Sequence, residues 1–349
     1  MSTPRQPTSV DVARRAGVSR TAVSLVLNGR AAGNISEENQ RRILAAAAEL
    51  GYQPNSAAVN LRRRSTSTIG IVTDEIATSP FAGQLLQGAR EVASKRDHLV
   101  FVADYGGDEE REQDMVWALR GRQVDGFLLA SMSMRQVAPV AEMSGIPTVL
   151  ANCYAPDGPV GVIADEEAGG YAAARYLFER GHRRVVMLAG RNTWDSEDIP
   201  ATARRIVGFH RAALEAGAGT DAAVVYAGWH IRDGVAHARR LLDRPESERP
   251  TGFVCARDRV AVGVALAAAQ LGLRVPEDLS VVGYDNEREV AEMMVPPLTT
   301  VNLPHRAIGA TAMELLLRSV VDGEPLPAAD VIVPCELVMR ESVGPAPTR

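Results

Sequence analysis

The sequence predicts an N-terminal all-α helix-turn-helix head with a hinge helix, followed by an α/β core of two doubly wound parallel-sheet lobes. Three observations predict it. Residues 9–51 break into short amphipathic stretches bounded by Ser, Asn and Gly. From Thr68 onward, short β-branched runs alternate with helical windows, the pattern of parallel sheets covered by helices. The chain is 349 residues long, more than one ordinary core accommodates, so the units divide between two or more bodies.

In the head, Ser9 is placed to cap a helix through Val12, Ala13 and Ala16, closed by Gly17. Ser19 caps a second helix, Arg20 to Leu27, stopped by Asn28-Gly29. Only Gly17-Val18-Ser19 joins them, the length of a tight helix-turn-helix turn. A third helix follows Ser36, with Ile43, Leu44, Ala47 and Leu50 at helical spacing and Gly51 at its end. Val12, Ala16, Val23, Leu27, Ile43 and Leu50 can share one small core. Pro54 then breaks the chain, and the stretch to Arg64 is long enough for about two helical turns, too short to be stable alone.

The strand candidates of the core are Ile69–Val72, Leu99–Ala103, Gly126–Ala130, Thr148–Ala151, Gly161–Ala164, Val185–Ala189, Ala223–Ala227, Gly252–Cys255 and Ser280–Tyr284. Helical windows lie at Phe81–Lys95, Glu110–Arg120, Gly169–Arg180, Ala203–Glu215, Asp233–Leu242 and Ala261–Leu271. The expected division is a head over 1–53, a hinge over 54–65 and a core over 66–349. Within the core, one lobe takes 66–164 and 302–330, the other 165–301 and 331–349. Ligands of such folds sit at the carboxyl ends of the strands, which places a site in the cleft between lobes.

Charge separates the parts. Residues 1–65 hold ten arginines against four carboxylates, a net +6, while the rest of the chain holds 28 basic and 39 acidic residues, a net −11. A basic head on an acidic body implies that only the head meets a polyanion. No apolar run reaches the ~18 residues of a membrane helix, and the polar N-terminus lacks the apolar stretch of a signal peptide, so the expected location is the cytoplasm. Cys153, Cys255 and Cys335 have no paired spacing and read as small core residues; no metal or cofactor is expected.

The segment TSVDVARRAGVSRTAVSLVLNG (8–29) resembles the N-terminal signature of the LacI/GalR family of bacterial repressors. The likeness continues through GYQPNSAAVNLR (51–62), VDGFLLAS (124–131), GHRRVVMLAG (181–190), VPEDLSVVGYDN (275–286) and PPLTTV (296–301), nearly the whole chain. It implies a dimeric transcriptional repressor that reads a palindromic operator, with a core like the periplasmic sugar-binding proteins and a small-molecule effector, a sugar or sugar derivative. A purine is the alternative effector.

On the second helix, Val23, Val26 and Leu27 face inward, leaving Arg20, Thr21, Ser24 and Leu25 outward. Residues near the start of such a helix reach base edges in the major groove. Arg20 can bond guanine in bidentate fashion, and Leu25 can pack on a thymine methyl, where the family often has a basic residue. Ser19 and Asn28 complete the expected DNA-binding set on this element. In the hinge, the resemblance implies DNA contacts from Asn55, Ala58, Leu61 and Arg62, with Leu61 as a minor-groove wedge. Arg62-Arg63-Arg64 then meet phosphates. The competing readings are a phosphate-only Arg20, a linker-packing Leu61 and a merely solvated arginine run.

For the effector, the resemblance implies Asp285 and Arg205 bracketing hydroxyls or a carboxylate, Trp229 stacking on the ligand, Phe81 on its other face, and Asp165 as a further polar contact. The bland alternatives are core packing for the two aromatics and a structural ion pair for Asp285 or Arg205. Two departures stand out. Arg257-Asp258 replaces the family's Asn-Asp, putting a cation in the cleft that favours an anionic ligand or a neighbouring carboxylate such as Asp285. The segment 190–208 is longer than usual, with Trp194, Asp195, Glu197 and Asp198 able to line or cap the cleft.

An enzyme and an uptake-type solute-binding protein are the competing classes. No nucleophile elbow, zinc spacing or phosphate-cradling loop occurs. His182, the most tempting base, lies between a helix and a strand and reads as a turn residue. The helix at 81–95 and neighbouring surfaces are the expected dimer interface, and the tail lacks the heptads of a tetramer.

Overall fold

The structure is a computed structural model, and it describes residues 7–52, 65–75, 81–190 and 200–348. The hinge residues Asn55, Ala58, Leu61 and Arg62, and the loop residues Trp194, Asp195, Glu197 and Asp198, lie outside the described residues. The chain divides into two compact units, Met1–Thr66 and Ser67–Arg349.

The first unit is built on α1 (Ser9–Ala16), α2 (Arg20–Leu27) and α3 (Glu37–Leu50). The cap of α1 is Thr8, not Ser9: Asp11 reaches back from the third helical position to accept from both the Thr8 amide and its hydroxyl. Gly17 and Gly51 close α1 and α3 at φ 68° and 62°, the left-handed region where a Cβ is strained. Ser19 Oγ accepts from the Ala22 amide at 3.1 Å and starts α2. Val12, Val23 and Ile43 are fully buried, and Ala13, Ala16, Ala22, Val26, Ala46 and Ala47 fill in around them. Leu27 and Leu50 pack only partly against this core, and Leu44 points to solvent. With so many alanines the helices approach closely, and little room remains for leucines.

Among the described residues, the second unit contains two six-stranded sheets. The first runs in the order β11-β5-β4-β3-β1-β2, with β1 (Thr68–Thr73), β2 (Leu99–Asp104), β3 (Gly126–Gln136), β4 (Thr148–Tyr154), β5 (Gly161–Ala164) and β11 (Val331–Val333). All its pairings are parallel. The second runs in the order β12-β10-β9-β8-β6-β7, with β6 (Val185–Ala189), β7 (Ala222–Tyr226), β8 (Gly252–Cys255), β9 (Ser280–Asp285), β10 (Thr299–Asn302) and β12 (Glu336–Val338). It is parallel except at its edge, where β12 runs against β10. The nine strands read from the sequence are all present; β10, β11 and β12 are additional.

The helices are α4 (Ala82–Lys95), α5 (Glu109–Gly121), α6 (Glu166–Phe178), α7 (Pro200–Glu215), α8 (Ile231–Leu242), α9 (Asp258–Gln270), the single turn α10 (Arg288–Ala291) and α11 (His305–Asp322). Six match the helical windows; α11 does not, because its alanines and leucines surround the axis without a clean stripe. It packs on α4 at glycine contacts. A Cβ on Gly88 would stand 2.0 Å from the Arg306 carbonyl oxygen, and one on Gly309 2.1 Å from that of Leu85.

Among the described residues the chain passes between sheets three times: after β5, after β10 and after β11. The last return differs from the division expected at 331. Val331–Val333 pairs with β5 of the first sheet, and only from Glu336 does the chain rejoin the second. The β-branched Val-Ile-Val run completes an open parallel edge, and Pro334 then ends it.

Candidate functional site

On the head, Ser19, Arg20, Thr21 and Ser24 are exposed, and Leu25 and Asn28 are half-buried. Arg20 makes no ion pair among the described residues, whereas Arg14 pairs with Asp11 and Arg15 with Glu49. No acidic residue occurs on α2, so the field at its start is positive. Asn28 is engaged within the helix: its Nδ2 donates to the Ser24 carbonyl at 2.6 Å and approaches the Ser24 hydroxyl at 3.2 Å. Ser19 likewise spends its hydroxyl on the cap. Ala22, placed on neither face by the sequence, turns into the core.

In the core, Phe81, Arg205, Trp229, Arg257 and Asp285 converge on one cavity of about 30 Å³. Phe81 precedes α4, Met132, Ser133 and Met134 come from β3, and Asn152 from β4. The second sheet's side supplies Arg205 from α7, Trp229 ahead of α8, Arg257 ahead of α9, and Asp285 at the end of β9. Leu303 and His305 enter from the crossover after β10.

Asp285 occupies a strained backbone position, φ 101°, and is buried. Its Oδ2 has no hydrogen bond and lies 3.5 Å from Arg257 Nε. Burial pushes its carboxyl up to about 8, against the opposing pull of Arg257 and Arg205. Behind it, Asp258 accepts from the Thr300 hydroxyl at 2.5 Å and the Glu287 amide at 2.6 Å, tying down the loop after β9. Trp229 packs against Gly190, where a Cβ would stand 2.1 Å from the indole; only glycine leaves the ring its place.

One reading needs correction, and a second gains a detail. Arg205 reaches the cavity as expected, with its fork already engaged. Its Nε and a terminal nitrogen donate to Glu166 at 2.7 and 2.9 Å, its other terminal nitrogen to the Ala256 carbonyl at 2.9 Å, and it stacks on Tyr284 at 3.7 Å. Burial works against its charge, but Glu166 outweighs that and keeps it protonated. Arg205 thus lines the cavity with its fork already paired. Asp165 does not line the cavity: its Oδ1 caps α6 by accepting from the Ala168 amide at 3.0 Å. A carboxylate at that position is drawn to the helix's free amides.

Sequence reasoning missed Glu166, Asn152 and His305. Glu166 stands one residue beyond the Asp165 it selected, and nothing in Asp-Glu-Glu marks which carboxylate turns inward. His305 is stacked on Phe81 at 5.1 Å, and neither ring nitrogen has a hydrogen bond. Burial, helped by Arg205 and Arg257, lowers its pKa to about 4 and keeps it neutral. Its only sequence signal is its place directly after Leu303-Pro304.

The described residues contain no cluster of His, Cys, Asp and Glu able to hold a metal ion. The three cysteines are free and buried, with burial raising their thiols. His182 is occupied structurally, between the Thr251 hydroxyl and the Gly344 carbonyl, both at 3.1 Å. None of the described helices is long and apolar enough to cross a membrane.

A short-turned trihelical head joined to a two-lobed α/β core with a polar cleft defines the class of ligand-responsive transcriptional regulators. The comparisons agree with it: residues 9–55 match the model for bacterial regulatory proteins of the lacI family, and residues 174–343 that for a periplasmic binding protein-like domain. The chain is 34% identical to the HTH-type transcriptional repressor PurR of Vibrio atlanticus (strain LGP32), covering 89% of this chain and 91% of that protein. Among solved structures, it is similar to the lac repressor dimer bound to operator and the anti-inducer ONPF (TM-score 0.78, 26% identity, 97% of this chain and 100% of that one). It is likewise similar to the transcriptional regulator CelR in complex with cellobiose (TM-score 0.65, 31% identity, 96% and 99%). The chain belongs to the lacI family of bacterial regulatory proteins and is a DNA-binding transcriptional repressor of that family.

Proposed function

We propose that this repressor works in the cytoplasm as a homodimer whose operator affinity is set by a sugar or sugar derivative bound in the core cleft, which binds its ligand without converting it. Each α2 reads one half of a palindromic operator through Arg20, Thr21, Ser24 and Leu25, and the two hinges, with Leu61 as wedge, open the minor groove between them. The observation that carries the ligand reading is Asp285. Its buried oxygen without a hydrogen bond faces a cavity flanked by Phe81 and Trp229, with His305 beside it. Aromatic walls with a few convergent polar groups suit the apolar faces and hydroxyl edges of a sugar. The cellobiose-bound CelR supports the same chemistry.

Dimerisation is supported by the open edge strand β2, next to α4 in the chain, which exposes Leu99, Phe101 and Val102. Three apolar side chains on an edge unpaired among the described residues invite a second copy. Ligand and DNA are then coupled reciprocally, each favouring one arrangement of the core lobes.

The test is selection of bound sequences from random DNA, followed by gel shifts with carbohydrate and purine panels. A palindromic site whose occupancy changes with a carbohydrate supports the reading. Response to a purine alone replaces the effector class.

A further inference from the structure

Two arginines face the cavity, and their states differ. Arg205 is saturated by Glu166, the Ala256 carbonyl and the Tyr284 ring. Arg257 makes no hydrogen bond among the described residues. Its one ion-pair approach among the described residues is the 3.5 Å to Asp285, and its guanidinium carbon lies 5.1 Å from the centre of the Trp229 ring and 5.6 Å from that of Phe81. A planar group with five N–H donors thus occupies the gap between the two aromatic walls.

The cavity around it holds about 30 Å³, room for a water or two. A monosaccharide needs several times that space. Arg257 is a lining side chain able to yield it, being 34% exposed and mounted on a long stem just ahead of α9. Its withdrawal breaks both ring contacts and the approach to Asp285. An uncharged ligand offers the displaced cation only neutral hydroxyl acceptors, whereas an oxyanion gives it a bidentate, charge-assisted partner of roughly twice the strength. Asp285 and His305 are left to bind hydroxyls. The first is a buried carboxyl that holds its proton up to about 8, the second a neutral ring with one donor and one acceptor.

We infer that Arg257 selects the effector, and that the effector is a polyol bearing an oxyanion, a sugar acid or sugar phosphate, whose anionic group meets Arg257 while its hydroxyls meet Asp285 and His305. This rests on the reading of the cleft as the effector site.

The experiment is titration calorimetry of the full chain with a panel of aldoses, the matching aldonic and uronic acids, and the matching terminal phosphates. Wild type, Arg257→Gln and Trp229→Ala are compared. At least one acid or phosphate is expected to bind wild type tenfold or more tightly than its parent aldose, and the two anionic arms tell carboxylate from phosphate. Arg257→Gln removes that advantage and leaves the parent aldose unchanged or better bound; Trp229→Ala weakens both. An aldose bound as tightly as its anionic derivatives, or an anion preference that survives Arg257→Gln, overturns the assignment. The cleft reading still stands in that case if Trp229→Ala weakens binding. Binding indifferent to both substitutions overturns the cleft reading too, and no binding across the panel overturns the sugar-oxyanion class.

Discussion

Glu166 holds both the Nε and a terminal nitrogen of Arg205, at 2.7 and 2.9 Å, with only 2% and 6% of the two side chains exposed. The Tyr284 hydroxyl donates to the same carboxylate at 2.8 Å. The pair lines the cavity with its charges already matched, unlike Arg257, which makes no hydrogen bond among the described residues. Removing one partner strands a buried charge. Glu166→Ala is expected to destabilise the core by about 3–5 kcal/mol, whereas joint replacement by Glu166→Leu and Arg205→Met recovers most of that loss, because two charges are then no longer desolvated. Urea midpoints of the three proteins check this; a single variant as stable as wild type contradicts it.

Asp285 sets a pH dependence of stability. Its folded pKa of about 8 lies above the ordinary aspartate value, so between roughly pH 4 and 8 the folded state keeps a proton that the unfolded state releases. Stability from this group is therefore lost as pH rises through that window and is level above it. Asp285→Asn cannot titrate. The melting temperature of wild type relative to this variant is expected to fall from pH 5 to pH 9. A difference that stays constant across that range shows that the carboxyl is ionised throughout.

Much of this architecture was legible because burial on both faces of a parallel strand writes an unbroken apolar run, as in Val185–Ala189 and Gly252–Cys255. The head was legible through its punctuation, Gly17, Ser19, Ser36 and Gly51. What escaped notice lacks such local writing. Val331–Val333 is three residues long and finds its partner across the chain in β5. The inward turn of Glu166 rather than Asp165 depends on which carboxylate caps α6. Arg257 was visible as a departure, but its seat between Phe81 and Trp229 follows from three separated loops meeting.

The α4–α11 contact is tight enough to test directly. A methyl group on Gly309 would stand 2.1 Å from the Leu85 carbonyl, backbone that cannot swing aside. Gly309→Ala is expected to destabilise the core by about 1–3 kcal/mol through forced separation of the helices. Gly83→Ala, on the same α4 but with nothing within 4 Å of its added methyl, serves as the control and is expected to be neutral or mildly stabilising. Thermal melts of both variants decide it, and equal effects would mean that the helices separate at no cost.

Arg20 separates base reading from charge. It is the lone cation on α2, sits at the helix's first position, and is exposed without a protein partner among the described residues. If it bonds guanine, Arg20→Ala costs about 1–3 kcal/mol at the selected operator and far less on unrelated DNA. If it touches phosphate alone, affinity falls alike on both, and the salt dependence loses about one counterion per head. Gel shifts on operator and on scrambled DNA, at two salt concentrations, distinguish these outcomes. Arg20→Lys sharpens the result: it keeps the charge but not the planar fork, so if Arg20 reads a base the change is expected to weaken binding more at the operator than on scrambled DNA.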